Sequence, residues 1–468
     1  MRKLLYLFFL IGILSISCKE PNPVLTIEGG KVIGVKTQTD GIIAYKGIPF
    51  AAPPLGELRW KEPQPVVPWK GIRLADTYGA AAWQVDRNPD SFCGREWQAS
   101  GTVPFSEDCL YLNIWTPAAG KKEKKLPVAL WIHGGGFQRG FAYEPEMDGG
   151  EYWASKDVIL VQVTYRLGLL GFFSHPLLSG ENTRGISGNY GLFDQYAALR
   201  WIRNNIEQFG GDPDNITIFG QSAGAYSVQA LCASPLSRNL ISNAIIMSGG
   251  GLSEGGPKTL LDTAQMANMK FMDHFEISSL DEMRALTFEE LMNMSEDYTS
   301  ATSSKVHTSP VIDGYFSTDI FMNVALTNEI ADIPYMLGFT ANDLSDKTKA
   351  IGDFCILRDK VSTNPAYAYF FKRALPGDES GAFHCADLWY VFHSFVHSWR
   401  PFTSGDKDLS RRMVTYWTNF VKYGNPNNGP ERKWTPYTDG NPEFMSFNVV
   451  DNEAVCFMTR SVEYKGRR

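Results

Sequence analysis

The chain has 468 residues, with 44 Lys+Arg against 51 Asp+Glu and a formal net charge of −7. Hydrophobic residues make up 44%, including 12 Trp, 20 Tyr and 29 Phe, which excludes an intrinsically disordered chain. The acidic balance excludes nucleic acid as the main partner, because phosphate binding needs a basic footprint.

Arg2 and Lys3 precede an apolar run from Leu4 to Leu14, broken only by Tyr6 and Gly12. The run is too short to span a bilayer and has the form of a secretory signal. Ser15-Ile16-Ser17-Cys18 follows and resembles a bacterial lipobox, in which the signal is cut before a cysteine that is then lipidated. The expected layout is a signal over residues 1–17, lipidation at Cys18, a polar tether over 18–28 and one large domain over 29–468. Such a chain is exported and held to a membrane, facing the periplasm or the cell surface. Several acyl chains on one cysteine anchor stably where a single chain does not.

From Val24 to Tyr45 the pattern alternates loosely, predicting antiparallel edge strands. Leu126 to Ile132, Val158 to Val163, Ile216 to Phe219, Ala244 to Met247 and Pro334 to Phe339 are continuous apolar or β-branched runs. These predict strands buried on both faces, as in a parallel sheet covered by helices. Leu192, Tyr196, Leu199, Ile202, Ile206 and Phe209 recur at helical spacing, and Gly210-Gly211 stops that helix. Strands alternating with helices predict an α/β fold. Residues 251 to 305 are helical and acidic in pattern and hold six of the 14 Met. Helix packing accounts for them; adaptable Met side chains would also suit a short lid over a pocket.

Gly220-Gln221-Ser222-Ala223-Gly224 follows the strand Ile216 to Phe219 and precedes an apolar helix. In that setting it reads as a nucleophile elbow: the flanking glycines permit a strained turn, and Ser222 is left exposed at its tip. His133-Gly134-Gly135-Gly136-Phe137 follows another strand. A glycine run there lets backbone N–H groups converge on one point, where they stabilise the oxyanion of a tetrahedral intermediate. The N–H groups of Gly135, Gly136 and Ala223 are the expected donors.

A serine needs a base, usually His. In the order nucleophile, acid, histidine, the base lies well downstream of Ser222. His384 lies in a loop, and His393 and His397 follow at i, i+4. That spacing could bind a metal, but no acidic or Cys ligand stands nearby, so no metal and no cofactor is expected. The acid should follow a late strand. Asp343, after Pro334 to Phe339, is the first choice and Asp346 the reserve.

These residues together resemble the type-B carboxylesterases, the esterase–lipase group that includes cholinesterases and bacterial para-nitrobenzyl esterases. The match runs from about Gly29 to Asn448. Phe209-Gly210-Gly211-Asp212-Pro213 through Gly224 carries the serine signature, and Glu107-Asp108-Cys109-Leu110-Tyr111-Leu112-Asn113 the second one. Gly47-Ile48-Pro49-Phe50-Ala51-Ala52-Pro53-Pro54 and Tyr165-Arg166-Leu167-Gly168 match further stretches. The resemblance implies an α/β-hydrolase fold with a central, mostly parallel sheet and short helical insertions. It implies the triad Ser222, Asp343 and His384, and a disulfide between Cys109 and an upstream cysteine, here Cys93.

Two positions depart from the family. Asp343 stands where Glu is usual, one methylene shorter. Gln221 stands where cholinesterases carry Glu, which counts against a cationic choline ester. The expected activity is hydrolysis of short-chain or aryl esters through an acyl-enzyme, with a small-molecule ester as partner. The alternatives are a lipase or sterol esterase on longer acyl chains, and a non-catalytic binding module of the same fold.

Overall fold

The computed structural model describes residues 22–97, 102–253 and 255–467. The expected signal, residues 1–17, and Cys18 lie outside the described residues. Pairing begins at Val24, within the stretch expected as tether. Val24–Ile27 runs antiparallel to Gly30–Lys36. The reason is local: Leu25 and Ile27 alternate with exposed neighbours and bury one face of a strand.

Among the described residues the main sheet has 13 strands. From one edge it runs Val24–Ile27, Gly30–Lys36, Ile43–Pro49, Tyr111–Thr116, Ile159–Val163, Leu126–Ile132, Gly211–Gln221, Asn243–Met247, Tyr335–Thr340, Ala366–Phe371, Phe444–Val450 and Glu453–Thr459. Ile72–Ala75 pairs beside Gly30–Lys36. From Ile159–Val163 to Phe444–Val450 every neighbouring pair is parallel. The pairs outside that stretch along the path are antiparallel.

The continuous apolar runs are the parallel centre. Ile159–Val163, Asn243–Met247, Tyr335–Thr340 and Ala366–Phe371 are buried along their whole lengths. A strand covered by helices on both faces has no polar side, so its sequence does not alternate. The expected long helix is Tyr190–Asn205, tightened into a 3-10 turn over Ile206–Phe209 and ended by Gly210 at φ 82°.

Residues 251–305 form the helices Leu261–His274, Leu280–Ala285 and Phe288–Thr302. The last two begin with capping boxes, Ser279 with Glu282 and Thr287 with Glu290. They build a satellite core in which Met272 and Met283 pack with Trp60, Phe173, Phe271 and Leu291. Arg59 ties the segment down, donating to the carbonyls of Met283, Arg284 and Leu286. The Met-rich stretch is thus at least a packed subdomain.

The expected Cys93–Cys109 disulfide is absent: both thiols are free. Cys93 lies on the short helix Phe92–Glu96 and borders one cavity with Trp97 and Phe383. Cys109 is fully buried and borders another, with Ala82 and Arg166.

Tyr165-Arg166-Leu167-Gly168 has a structural use. Arg166 is buried and grips Asp194 through Nε at 2.9 Å and Nη2 at 2.7 Å, while its own N–H donates to Asp194 at 3.0 Å. The pair pins the loop after Ile159–Val163 to the helix Tyr190–Asn205. Removing one partner strands a buried charge. Asp194→Ala is expected to lower stability in urea unfolding by about 3–5 kcal/mol. Asp214→Ala, which breaks the exposed pair with Arg203, is expected to change it by less than about 1 kcal/mol.

Candidate active site

Ser222 stands between the end of strand Gly211–Gln221 and the helix Ala223–Ala233, at φ 57° and ψ −120°. A non-glycine residue keeps such a conformation only when its surroundings over-determine it. Here the helix crosses the neighbouring strand at very close range. A Cβ on Gly224 would sit 2.1 Å from the carbonyl oxygen of Ile132, and one on Gly220 would sit 2.5 Å from Gly224. Both positions therefore exclude any side chain. Ser222 N–H donates to the Met247 carbonyl at 2.9 Å, tying the turn to the next strand.

The glycine loop after Leu126–Ile132 lies against this turn. A Cβ on Gly134 would approach the Gln221 carbonyl to 2.7 Å and Ser222 Cβ to 3.2 Å. Gly135 and Gly136 adopt φ of 100° and 66°. The Gly135 carbonyl turns away and accepts from the N–H groups of Gln138 and Arg139, each at 3.1 Å. Among the described residues no acceptor is paired with the N–H of Gly135, Gly136 or Ala223. His133 is a framework residue. It is buried, stacked on Tyr165 at 4.4 Å, and burial holds its pKa down to about 4.

His384 and Asp343 meet across the sheet end. His384 Nδ1 lies 2.6 Å from Asp343 Oδ1. Asp343 is fully buried and also accepts from Leu344 N–H at 2.7 Å. Burial alone would raise its pKa; the hydrogen bond and charge of His384 outweigh that and hold it below the usual carboxylate range. The shorter Asp side chain reaches because the two loops are joined: Asn342 N–H donates to the Ala382 carbonyl at 2.9 Å, and Ala382 N–H donates to Asn342 Oδ1 at 3.0 Å. Asp346 is elsewhere, capping Thr348 N–H at 2.9 Å.

With the proton on Nδ1 facing the carboxylate, Nε2 carries the lone pair. The amide nitrogen of Gln221 lies 3.1 Å from Nε2 and 3.5 Å from Nδ1, so it sits over the imidazole ring and not along the Nε2 lone pair. Among the described residues Ser222 Oγ has no hydrogen bond. The identity of residue 221 was legible in the motif; its contact with His384 was not.

His393 and His397 do not share a helix face. The helix Leu388–Val391 has ended before either. His393 Nδ1 is 2.7 Å from Ser410 Oγ, and His397 pairs with Asp148 at 3.0 Å. Among the described residues no group of His, Cys, Asp or Glu could hold a metal.

The family model for the carboxylesterase family matches residues 21–354 and 351–461. The chain belongs to the carboxylesterase family. This carboxylesterase is 36% identical to a fumonisin B1 esterase of Sphingopyxis macrogoltabida over 69% of its own length and 57% of that protein. It is 30% identical to the pyrethroid hydrolase Ces2e of Rattus norvegicus over 94% of its length and 89% of that protein. Among solved structures it resembles a thermophilic PNB esterase with a TM-score of 0.79 and 28% identity, over 93% of this chain and 98% of that one. The carboxylesterase is a serine carboxylic ester hydrolase with the α/β-hydrolase fold.

Composition and motifs did not single out one buried acid. Asp387 is fully buried three residues after His384. Its Oδ2 accepts from Tyr369 Oη at 2.8 Å, and its Oδ1 has no partner. Burial first, and then the charge of Asp343, raise its pKa to about 6, against the opposing pull of Tyr369 and His384. The unfolded chain releases this proton near pH 4, roughly, and the folded one holds it longer. Stability therefore falls as pH rises through that window and stays lower above it. Asp387→Asn is expected to raise stability near pH 8 by on the order of 2–3 kcal/mol and to change it little near pH 4. Urea unfolding at the two pH values measures both.

Proposed function

We propose that the carboxylesterase hydrolyses short-chain or aryl esters with Ser222 as nucleophile, His384 as base and Asp343 as the acid that orients it. The observation that carries this is the imidazole held by a buried carboxylate at 2.6 Å and lying against Gln221, which precedes a serine on a strained elbow.

The chemistry follows from the groups. Ser222 Oγ attacks the ester carbonyl, and its proton passes to His384 Nε2. The developing imidazolium is stabilised by Asp343 across Nδ1–H. The oxyanion forms where the N–H groups of Gly135, Gly136 and Ala223 have no acceptor, and these pre-aimed dipoles need little reorganisation. His384 then protonates the leaving alcohol, and an acyl-enzyme remains. Water, deprotonated by His384, attacks the acyl carbonyl and regenerates Ser222. The aryl-ester reading is supported by the cavity beside His384, about 410 Å³, which Phe92, Trp97 and Phe383 line.

Export and lipid anchoring at Cys18 are part of this proposal and rest on the sequence alone. Cys18→Ser is expected to release the protein from the membrane fraction and abolish its labelling by a radioactive fatty acid. Equal labelling of both forms would refute the anchor.

Hydrolysis of para-nitrophenyl esters from acetate to palmitate tests the activity. Ser222→Ala and His384→Ala are each expected to lower kcat by a factor on the order of 10⁴ or more. Asp343→Asn is expected to lower it strongly, because it favours the wrong tautomer of the base. Turnover should be greatest on the shorter acyl chains; an optimum at palmitate would favour the lipase reading.

A further inference from the structure

The cavity of about 410 Å³ lies on the His384 side of the site, and its chemistry is specific. Its apolar wall is an aromatic trio. Phe92 meets Phe383 edge to face at 5.0 Å and Trp97 at 6.2 Å, and Trp97 meets Phe383 at 6.4 Å. The trio is braced from behind. The Arg400 guanidinium sits 5.1 Å from the Phe383 ring centre and is fixed by Glu96 and Asp378.

Opposite in character is Arg467, which borders the same cavity. It arrives on a segment tied to three consecutive residues of the acid loop. Lys465 N–H donates to the Ala341 carbonyl at 2.8 Å, Asn342 Nδ2 donates to the Gly466 carbonyl at 2.9 Å, and Tyr464 Oη donates to the Asp343 carbonyl at 2.9 Å. Among the described residues Arg467 itself has no ion pair or hydrogen bond.

We propose that this cavity is the leaving-group subsite and takes an aromatic alcohol that carries a carboxylate, with Arg467 selecting the charge. The inference rests on the reading of His384 as the group that protonates the leaving oxygen. When the bond from acyl carbon to leaving oxygen breaks, that oxygen takes the proton His384 received from Ser222. The alcohol must therefore lie on the His384 side, where the rings and the cation are. An aryl body packs edge to face on the trio. A carboxylate at its far edge meets the planar guanidinium, which is suited to bidentate pairing.

The test compares para-nitrophenyl acetate with its ring-carboxylated analogue. The ratio of kcat/KM for the charged ester to that for the neutral one is expected to fall about fivefold in Arg467→Gln, chiefly through KM, and further in Arg467→Glu. High salt should shrink the wild-type preference, because the pair is exposed. An unchanged thermal midpoint in both variants controls for folding.

Binding of the two free phenols to the Ser222→Ala protein, followed by tryptophan fluorescence, reads the subsite without turnover. Tighter binding of the carboxylated phenol, lost in the double variant with Arg467→Gln, supports the proposal. Equal discrimination with and without Arg467 in both assays overturns it. Failure of the wild-type protein to hydrolyse either ester would instead overturn the catalytic reading, while the phenol titration still decides the subsite.

Discussion

The site depends on one close approach, that of the helix Ala223–Ala233 to the strand Leu126–Ile132. The Ile132 carbonyl leaves no room for a Cβ at either Gly220 or Gly224. Because the backbones come so near, the turn between them is forced into the left-handed region, and Ser222 stands at its tip with φ 57°. The same contact brings Gly134 against Ser222, so the loop carrying Gly135 and Gly136 is set by the register of two parallel strands. Candidate nucleophile and candidate oxyanion donors are one packing arrangement, and a shift in the strand pair would move both.

The second half of the site is electrostatic. His384 is bordered by a buried Asp343, a buried Asp387 and the Gln221 amide. The two carboxyls are pushed in opposite directions. Asp343 gains the imidazole and is held low; Asp387 gains only a tyrosine hydroxyl and is pushed up. Dry surroundings thus separate two chemically identical groups into a carboxylate paired with the imidazole and a carboxyl that ionises late. Asn342 joins the loops that carry acid and base, and the segment 464–467 lies along the acid loop. Side chains from distant parts of the chain therefore hold the distance between Asp343 and His384.

Much of this was legible in the sequence. The parallel strands show as unbroken apolar runs because helices cover both faces. The elbow shows because steric exclusion at residues 220 and 224 admits only glycine. Family resemblance singled out His384 among the late histidines and Asp343 as the acid. Other readings fell to tertiary facts. Cys93 and Cys109 border separate cavities, which spacing in a polar stretch does not reveal. The i, i+4 spacing of His393 and His397 carried no meaning once the helix ended at Val391.

The sequence by itself determined the fold class, the glycine-flanked turn at Ser222 and the glycine loop, because each rests on local sterics or on a periodicity that neighbouring residues record. Only the tertiary structure decided that Asp343 rather than Asp346 faces the imidazole, that the Gln221 amide lies against that ring, that Asp387 is buried beside the pair, and that Arg467 borders the cavity. Those relations join residues up to 376 positions apart, as between Ser91 and Arg467 (467 − 91). They follow from how the strand ends and loops converge in space, and no short window of the chain carries that information.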